Sequence, residues 1–143
     1  MKEIQGQSFL QNHPCYNKDA AANWGRLHLP VAPNCNIQCN YCNRMYDCAN
    51  ENRPGVTQHI YTPQEAVSFV QKVFDACRDI SVVGIAGPGD PMCDADKTLE
   101  TFRLVKREIP HVMLCLSSNG LAMPDHIDEI HDLGITHVTI TVN

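Results

Sequence analysis

No run of about 18 or more apolar residues occurs in this chain, which excludes a membrane-spanning helix. The stretch from Met1 to Asp19 lacks the apolar core of a signal peptide, so a cytoplasmic location is the expectation. There is no basic surplus: 11 Lys and Arg stand against 16 Asp and Glu, a net charge of −5. Neither nucleic acid nor an anionic membrane is therefore an expected partner. Internal repeats and low-complexity tracts are missing too. What remains is a globular composition, 43% hydrophobic over 143 residues, enough for one domain with a core.

One scarce residue is abundant. The eight cysteines are Cys15, Cys35, Cys39, Cys42, Cys48, Cys77, Cys93 and Cys115, and four of them fall between positions 35 and 48. In a reducing compartment, clustered cysteines point to metal or catalysis rather than to disulfides.

Residues 1–26 read as a polar, irregular N-terminal extension, and a strand is expected from Leu27 to Val31. Thr62-Pro63-Gln64-Glu65 is a helix start, with Thr62 as cap, Pro63 in the first helical position and Glu65 closing a capping box. Val67, Val70, Val73, Phe74 and Cys77 follow at helical spacing, which puts Cys77 in the core and the helix end near Arg78. The apolar run from Ser81 to Ala86 is a buried parallel strand, broken by Gly87-Pro88-Gly89-Asp90-Pro91. A second helix carries Leu99, Phe102, Val105 and Ile109. A third strand runs from Val112 to Leu116, and a third helix carries Ile127, Ile130 and Leu133 and stops at Gly134. A last strand spans Thr136 to Val142. This alternation predicts an α/β fold with about four parallel strands and right-handed crossovers. Four units are too few for a closed eight-stranded barrel, and the last strand would be an exposed apolar edge, so the chain is expected to be the N-terminal piece of a longer protein.

Cys35-Asn36-Ile37-Gln38-Cys39-Asn40-Tyr41-Cys42 has the spacing C-x3-C-x2-C, just after the first strand. Three thiolates can bind three irons of a 4Fe–4S cube. The fourth iron is then open to the amino and carboxylate groups of S-adenosylmethionine, whose sulfonium bond an electron from the cube can break. Ligands bind at the carboxyl ends of parallel strands, where this loop lies. The competing readings are a zinc site completed by Cys48 or His28, and inert cysteines. Gly87, Gly89 and Asp90 lie where a ligand can approach the backbone and an ammonium can be met, or they form an ordinary turn. Ser118 and Asn119, at the end of the third strand, can reach a ribose or carboxylate, or cap the turn before Gly120.

The C-x3-C-x2-C loop with an aromatic before its last cysteine resembles the radical-SAM superfamily. His13-Pro14-Cys15-Tyr16, the runs Val31 to Arg44, Tyr46 to Glu51 and Arg53-Pro54-Gly55, then Gly84 to Pro91, Leu114 to Leu121 and His137 to Asn143 resemble its NifB family, which takes part in nitrogenase iron–molybdenum cofactor biosynthesis. The resemblance covers nearly the whole chain from His13 onward. It implies a partial (β/α) barrel, with 27–143 as the N-terminal part of the radical-SAM core domain. It implies Cys35, Cys39 and Cys42 on the 4Fe–4S cluster, Tyr41 against adenine, the glycine stretch on the amino group of S-adenosylmethionine and Ser118 in the same site.

It further implies two additional 4Fe–4S clusters as substrates, fused by methyl transfer and radical chemistry into an eight-iron cluster with a carbide. Cys15, His28 and Cys115 would ligate one of them and Cys48 the other. Each has a plainer alternative as a packed, structural or zinc-bound side chain. The implied partners are iron–sulfur cluster donors, a cofactor-carrier protein and a reductant such as ferredoxin or flavodoxin. The later strands and downstream cysteine pair of the family are missing from this sequence. Two other functions stay open: a radical-SAM enzyme with an organic substrate, which would not need Cys15, His28 and Cys48, and a non-catalytic zinc or iron–sulfur module. Cys93 reads as incidental, and His111, His126 and His131 as solvated. Asn50, Glu51 and Arg53 can position a substrate cluster or form salt bridges.

Overall fold

The computed structural model describes residues 13–43 and 59–142. Four parallel strands form one sheet in the order β1-β2-β3-β4: β1 is Gly25–Ala32, β2 Ile80–Pro88, β3 Met113–Ser118 and β4 Ile135–Ile140. The helices are α1 (Lys18–Asn23), α2 (Pro63–Ala76), α3 (Ala95–Glu108) and α4 (Ile127–Asp132), the last preceded by a 3-10 turn over Met123–His126. The α/β fold of partial barrel type is as the sequence predicts.

Local chemistry explains the elements. Thr62 accepts from the Glu65 backbone and Glu65 closes the box onto the Thr62 N–H, with Pro63 in the first turn. At α1, Asn17 accepts from the amides of Asp19 and Ala20. Burial of Val67, Val70, Leu99, Phe102, Val105 and Ile130 against Leu29, Val31, Val83, Ile85, Leu114, Leu116 and Ile135 forms one core. That core uses one face of the sheet. The alternation of a strand sends the intervening residues to the opposite face.

Three expectations are corrected. The segment to residue 26 contains α1, starts β1 at Gly25 and fully buries His13. The second strand runs through Gly87 and Pro88, because β1 continues alongside it and pairs Pro30 with Gly87 and Ala32 with Pro88. Cys77 is exposed at the cap of α2: the helix ends one residue earlier, and its backbone N–H closes onto Val73.

Candidate functional site

The loop after β1 carries Cys35, Cys39 and Cys42, all half-buried, with Tyr41 exposed. It is tied down at many points by its own polar side chains. Cys42 N–H donates to Cys39 O (3.0 Å), and Gln38 Nε2 donates to the carbonyls of Cys39 (3.1 Å) and Cys42 (3.0 Å). Asn34 donates from its backbone (3.0 Å) and its side chain (2.7 Å) to the Asp94 carboxylate at the start of α3. The Asn36 side chain accepts from Asn119 Nδ2 at 2.6 Å. The cysteine loop is thereby fastened to the carboxyl ends of β2 and β3.

Asp90 is the hub of those ends. It is buried (4% exposed), and its oxygens accept from Met92 N (2.9 Å), Ser118 Oγ (2.9 and 3.1 Å) and Asn119 N (2.6 Å). Three donors, one of them a hydroxyl shared between both oxygens, thus converge on the carboxylate, and Asp90 joins β2 to β3. Gly89 packs directly on the cysteine loop: a Cβ there would lie 1.9 Å from Asn34 O and 2.5 Å from its carbonyl carbon. Gly89 N also donates to Ala32 O (2.7 Å), and Asp90 N to Asn34 O (2.7 Å). Gly87, Gly89, Asp90, Ser118 and Asn119 thus gather around the cysteine loop at one end of the sheet.

A second group lies on the face turned away from the core. His28, Gly84, Cys115 and His137 pair in a row across all four strands. Gly84 makes room within it, since a Cβ would come 3.0 Å from His28 Cε1. His137 joins the row because β4 has one extra residue, Thr136, where the register shifts between Leu114 and Cys115. Ile135 therefore stays with Leu114 on the core face, and His137 turns to meet Cys115.

The turn at residues 13–17 covers this face. Tyr16 and Asn17 amides donate to His13 O (3.0 and 3.1 Å), and Tyr16 OH lies 3.0 Å from Thr139 Oγ1. The His13 ring sits 4.2 Å from that of His137 and 4.8 Å from that of Tyr16. Cys15 lies exposed on the turn, where its sulfur accepts from Arg26 Nη1. Burial, His137 and Arg26 push the His13 pKa down to about 4, and burial holds His137 below the ordinary imidazole range. Both rings are neutral at pH 7 on that account.

Of the sequence-predicted residues, Cys15, His28 and Cys115 thus belong to one side of the sheet, and Cys35, Cys39 and Cys42 to its carboxyl end. From Cys115 to Ser118 is three strand residues, roughly 10 Å. Cys48, Asn50, Glu51 and Arg53 lie outside the described residues. His13, His137, Asn34, Asn36, Gln38 and Asp94 did not stand out as single residues. The asparagines flanking Cys35 are a readable signal, whereas the face of His137 depends on a bulge.

Residues 29–143 match the family model of the Radical SAM superfamily. The FeMo cofactor biosynthesis protein NifB of Rhizobium leguminosarum is 52% identical to the chain, over 94% of this chain and 83% of that protein. The chain belongs to the radical SAM superfamily and, within it, to the NifB family. NifB of Rhodobacter capsulatus is 56% identical and NifB of Chlorobaculum tepidum 50%, each over 94% of this chain. The chain spans about a third of the length of those two NifB proteins, 30% and 32% respectively.

Radical SAM membership implies a 4Fe–4S cluster and S-adenosylmethionine. The donor set suits them: the seven described cysteines are all outside disulfides, and three sit on one anchored loop at the ligand-binding end of a parallel sheet. Among the described residues no three His, Cys, Asp or Glu side chains converge on a single metal ion. Among those residues no helix is long and apolar enough to cross a membrane.

Proposed function

We propose that this chain forms part of a radical-SAM enzyme that assembles the iron–sulfur precursor of the nitrogenase iron–molybdenum cofactor by fusing two 4Fe–4S clusters. In this reading Cys35, Cys39 and Cys42 ligate the radical-SAM cluster. Cys15, His28 and Cys115 hold one substrate cluster, and Cys48 contributes to the second. The observation that carries the reading is the polar row His28–Gly84–Cys115–His137, roofed by the turn that bears Cys15. An organic substrate has no use for soft thiolate and imidazole groups gathered on one face, whereas iron suits both.

When bound, the cluster and S-adenosylmethionine supply a hydrogen-abstracting 5′-deoxyadenosyl radical. The chain's own residues do the placing. Asn34, Asn36 and Gln38 hold the thiolate loop in shape. Gly89 lets the β2 turn lie against that loop, where an ammonium and carboxylate can meet backbone groups. Asp90 keeps Ser118 and Asn119 facing the same space, and Tyr41 offers its backbone to adenine. The reading also calls for donors of the two substrate clusters, a carrier for the product and a low-potential reductant such as ferredoxin or flavodoxin.

Anaerobic reconstitution with iron and sulfide tests it. Replacing Cys35, Cys39 and Cys42 with alanine should remove about four irons, and S-adenosylmethionine should perturb the spectrum of the reduced wild-type cluster. The iron left in the triple variant should then be lost on Cys15→Ala or Cys115→Ala. Bound zinc, or a spectrum indifferent to S-adenosylmethionine in a folded sample, would overturn the catalytic reading.

A further inference from the structure

Asp94 stands at the N-cap of α3. Aspartate is favoured at that position because its oxygens accept from the first free amides of a helix. Here the side chain makes no such bond. The Asp94 carbonyl accepts the opening helical bond from Thr98 N (3.0 Å), but the carboxylate turns to another part of the chain. Oδ2 accepts from the backbone N–H of Asn34 at 3.0 Å, and Oδ1 from Asn34 Nδ2 at 2.7 Å. The cap residue of one element thus serves a loop 60 positions earlier, next to Cys35.

Both ends of this contact are held. On the Asp94 side, Met92 N donates to Asp90 Oδ1 (2.9 Å), Cys93 N to Asp90 O (3.0 Å) and the buried Thr98 hydroxyl to Pro91 O (2.7 Å). On the other side, the Asn34 carbonyl accepts from Asp90 N at 2.7 Å and lies against Gly89. The Asn34 N–H belongs to the peptide before its Cα, and its C=O to the peptide that leads into Cys35. Peptides are planar, so fixing both leaves little freedom at the φ and ψ of Asn34, the two angles that aim Cys35. Asn34 is exposed, so these bonds hold it rather than burial. We propose that Asp94 is a positioning residue of the cluster loop, keeping Asn34 and through it Cys35 in place for iron, and not the cap of its own helix. This inference rests on the assignment of Cys35, Cys39 and Cys42 to the radical-SAM cluster.

A residue that orients a metal ligand changes metal retention when it is removed, whereas a helix cap changes stability. Asp94→Ser separates the two, since a serine hydroxyl caps a helix as well as aspartate does but offers one shorter-reaching oxygen in place of two. Asp94→Asn is the rescue: its oxygen accepts from the Asn34 N–H, and its amide donates to Asn34 Oδ1 once the Asn34 amide turns over. Each chain is reconstituted anaerobically with iron and sulfide, and release of iron to a ferrous chelator is timed. The phase that counts is the one of about four irons that vanishes when Cys35, Cys39 and Cys42 are changed to alanine. Urea denaturation of the cluster-free chains runs alongside. In Asp94→Ser that phase should be about 10- to 100-fold faster, with the urea midpoint at or above the wild-type value. Asp94→Asn should release iron at nearly the wild-type rate. A wild-type rate in the serine variant overturns the inference, and so does fast release from the asparagine variant. Fast release together with a lowered urea midpoint in the serine variant makes Asp94 a support of the fold alone and overturns it too. If the triple-alanine change removes no iron, the cluster assignment fails and this inference with it.

Discussion

Gly89 shows how little room the site allows a single residue. The position of its Cβ would coincide with the backbone of Asn34, and backbone, unlike the far end of a flexible side chain, cannot swing aside. Gly89→Ala should therefore push the β2 turn off the cysteine loop, costing about 2 kcal/mol or more as a backbone clash in a packed site. Urea denaturation of the cluster-free chain, with iron content after reconstitution, measures this. Wild-type values for both would refute it. The glycine was legible as a place of close approach, but what approaches is the chain's own Asn34. Asp90 was read as a contact for an ammonium, and its bonds to Ser118 and Asn119 could not be read from sequence because those residues lie 28 and 29 positions away.

His13 gives the residue scale its pH dependence. Its pKa is 6.5 in the unfolded chain and about 4 when folded. Between those values the unfolded chain binds more protons, so stability is full above the unfolded pKa and declines as pH falls toward the folded one. His137 is shifted in the same direction by burial. The urea midpoint of the cluster-free chain should fall between about pH 7 and about pH 5, and His13→Phe, which keeps the ring but cannot titrate, should lessen that fall. Equal declines in the two proteins would show that His13 does not set the acid limit.

At the scale of elements, α2 is where sequence and structure agree most closely, since a capping box is written in four adjacent residues. Thr62→Ala removes the acceptor for the Glu65 amide and one side of the box, which should cost about 1 kcal/mol. Because α2 packs on α3 and on β1 from the core side, iron loading should be unchanged. A loss of iron in that variant would show that α2 supports the site more directly than its packing suggests. Strand positions were equally legible wherever apolar runs are buried on the helix side. The bulge at Thr136 was not, because it depends on the partner strand. Without it, alternation from Ile135 would put His137 in the core, and the histidine next to Cys115 would go unnoticed.

Taken as a whole, the molecule has one sheet face filled by helices and the other covered in part by the turn at residues 13–17, which sequence had assigned to an irregular extension. Its parallel order and its carboxyl-end site followed from the alternation of elements, while the packing of His13 on His137, 124 positions apart, did not. Part of the exposed apolar surface is at β4, one of the two outer strands of the described sheet. Val138 (38% exposed), Ile140 (48%) and Val142 (89%) present apolar surface there, with Leu121 and Ile127 also exposed. A parallel edge with open backbone groups and apolar side chains pairs readily with another strand, and a lysine on such an edge blocks that pairing. This 143-residue chain should therefore self-associate as its concentration rises in sedimentation-velocity runs. Ile140→Lys, at a half-exposed position of that strand, should shift it toward monomer. If the wild-type chain stays monomeric across the concentration series, or the lysine variant associates equally, then β4 is not the surface through which copies meet.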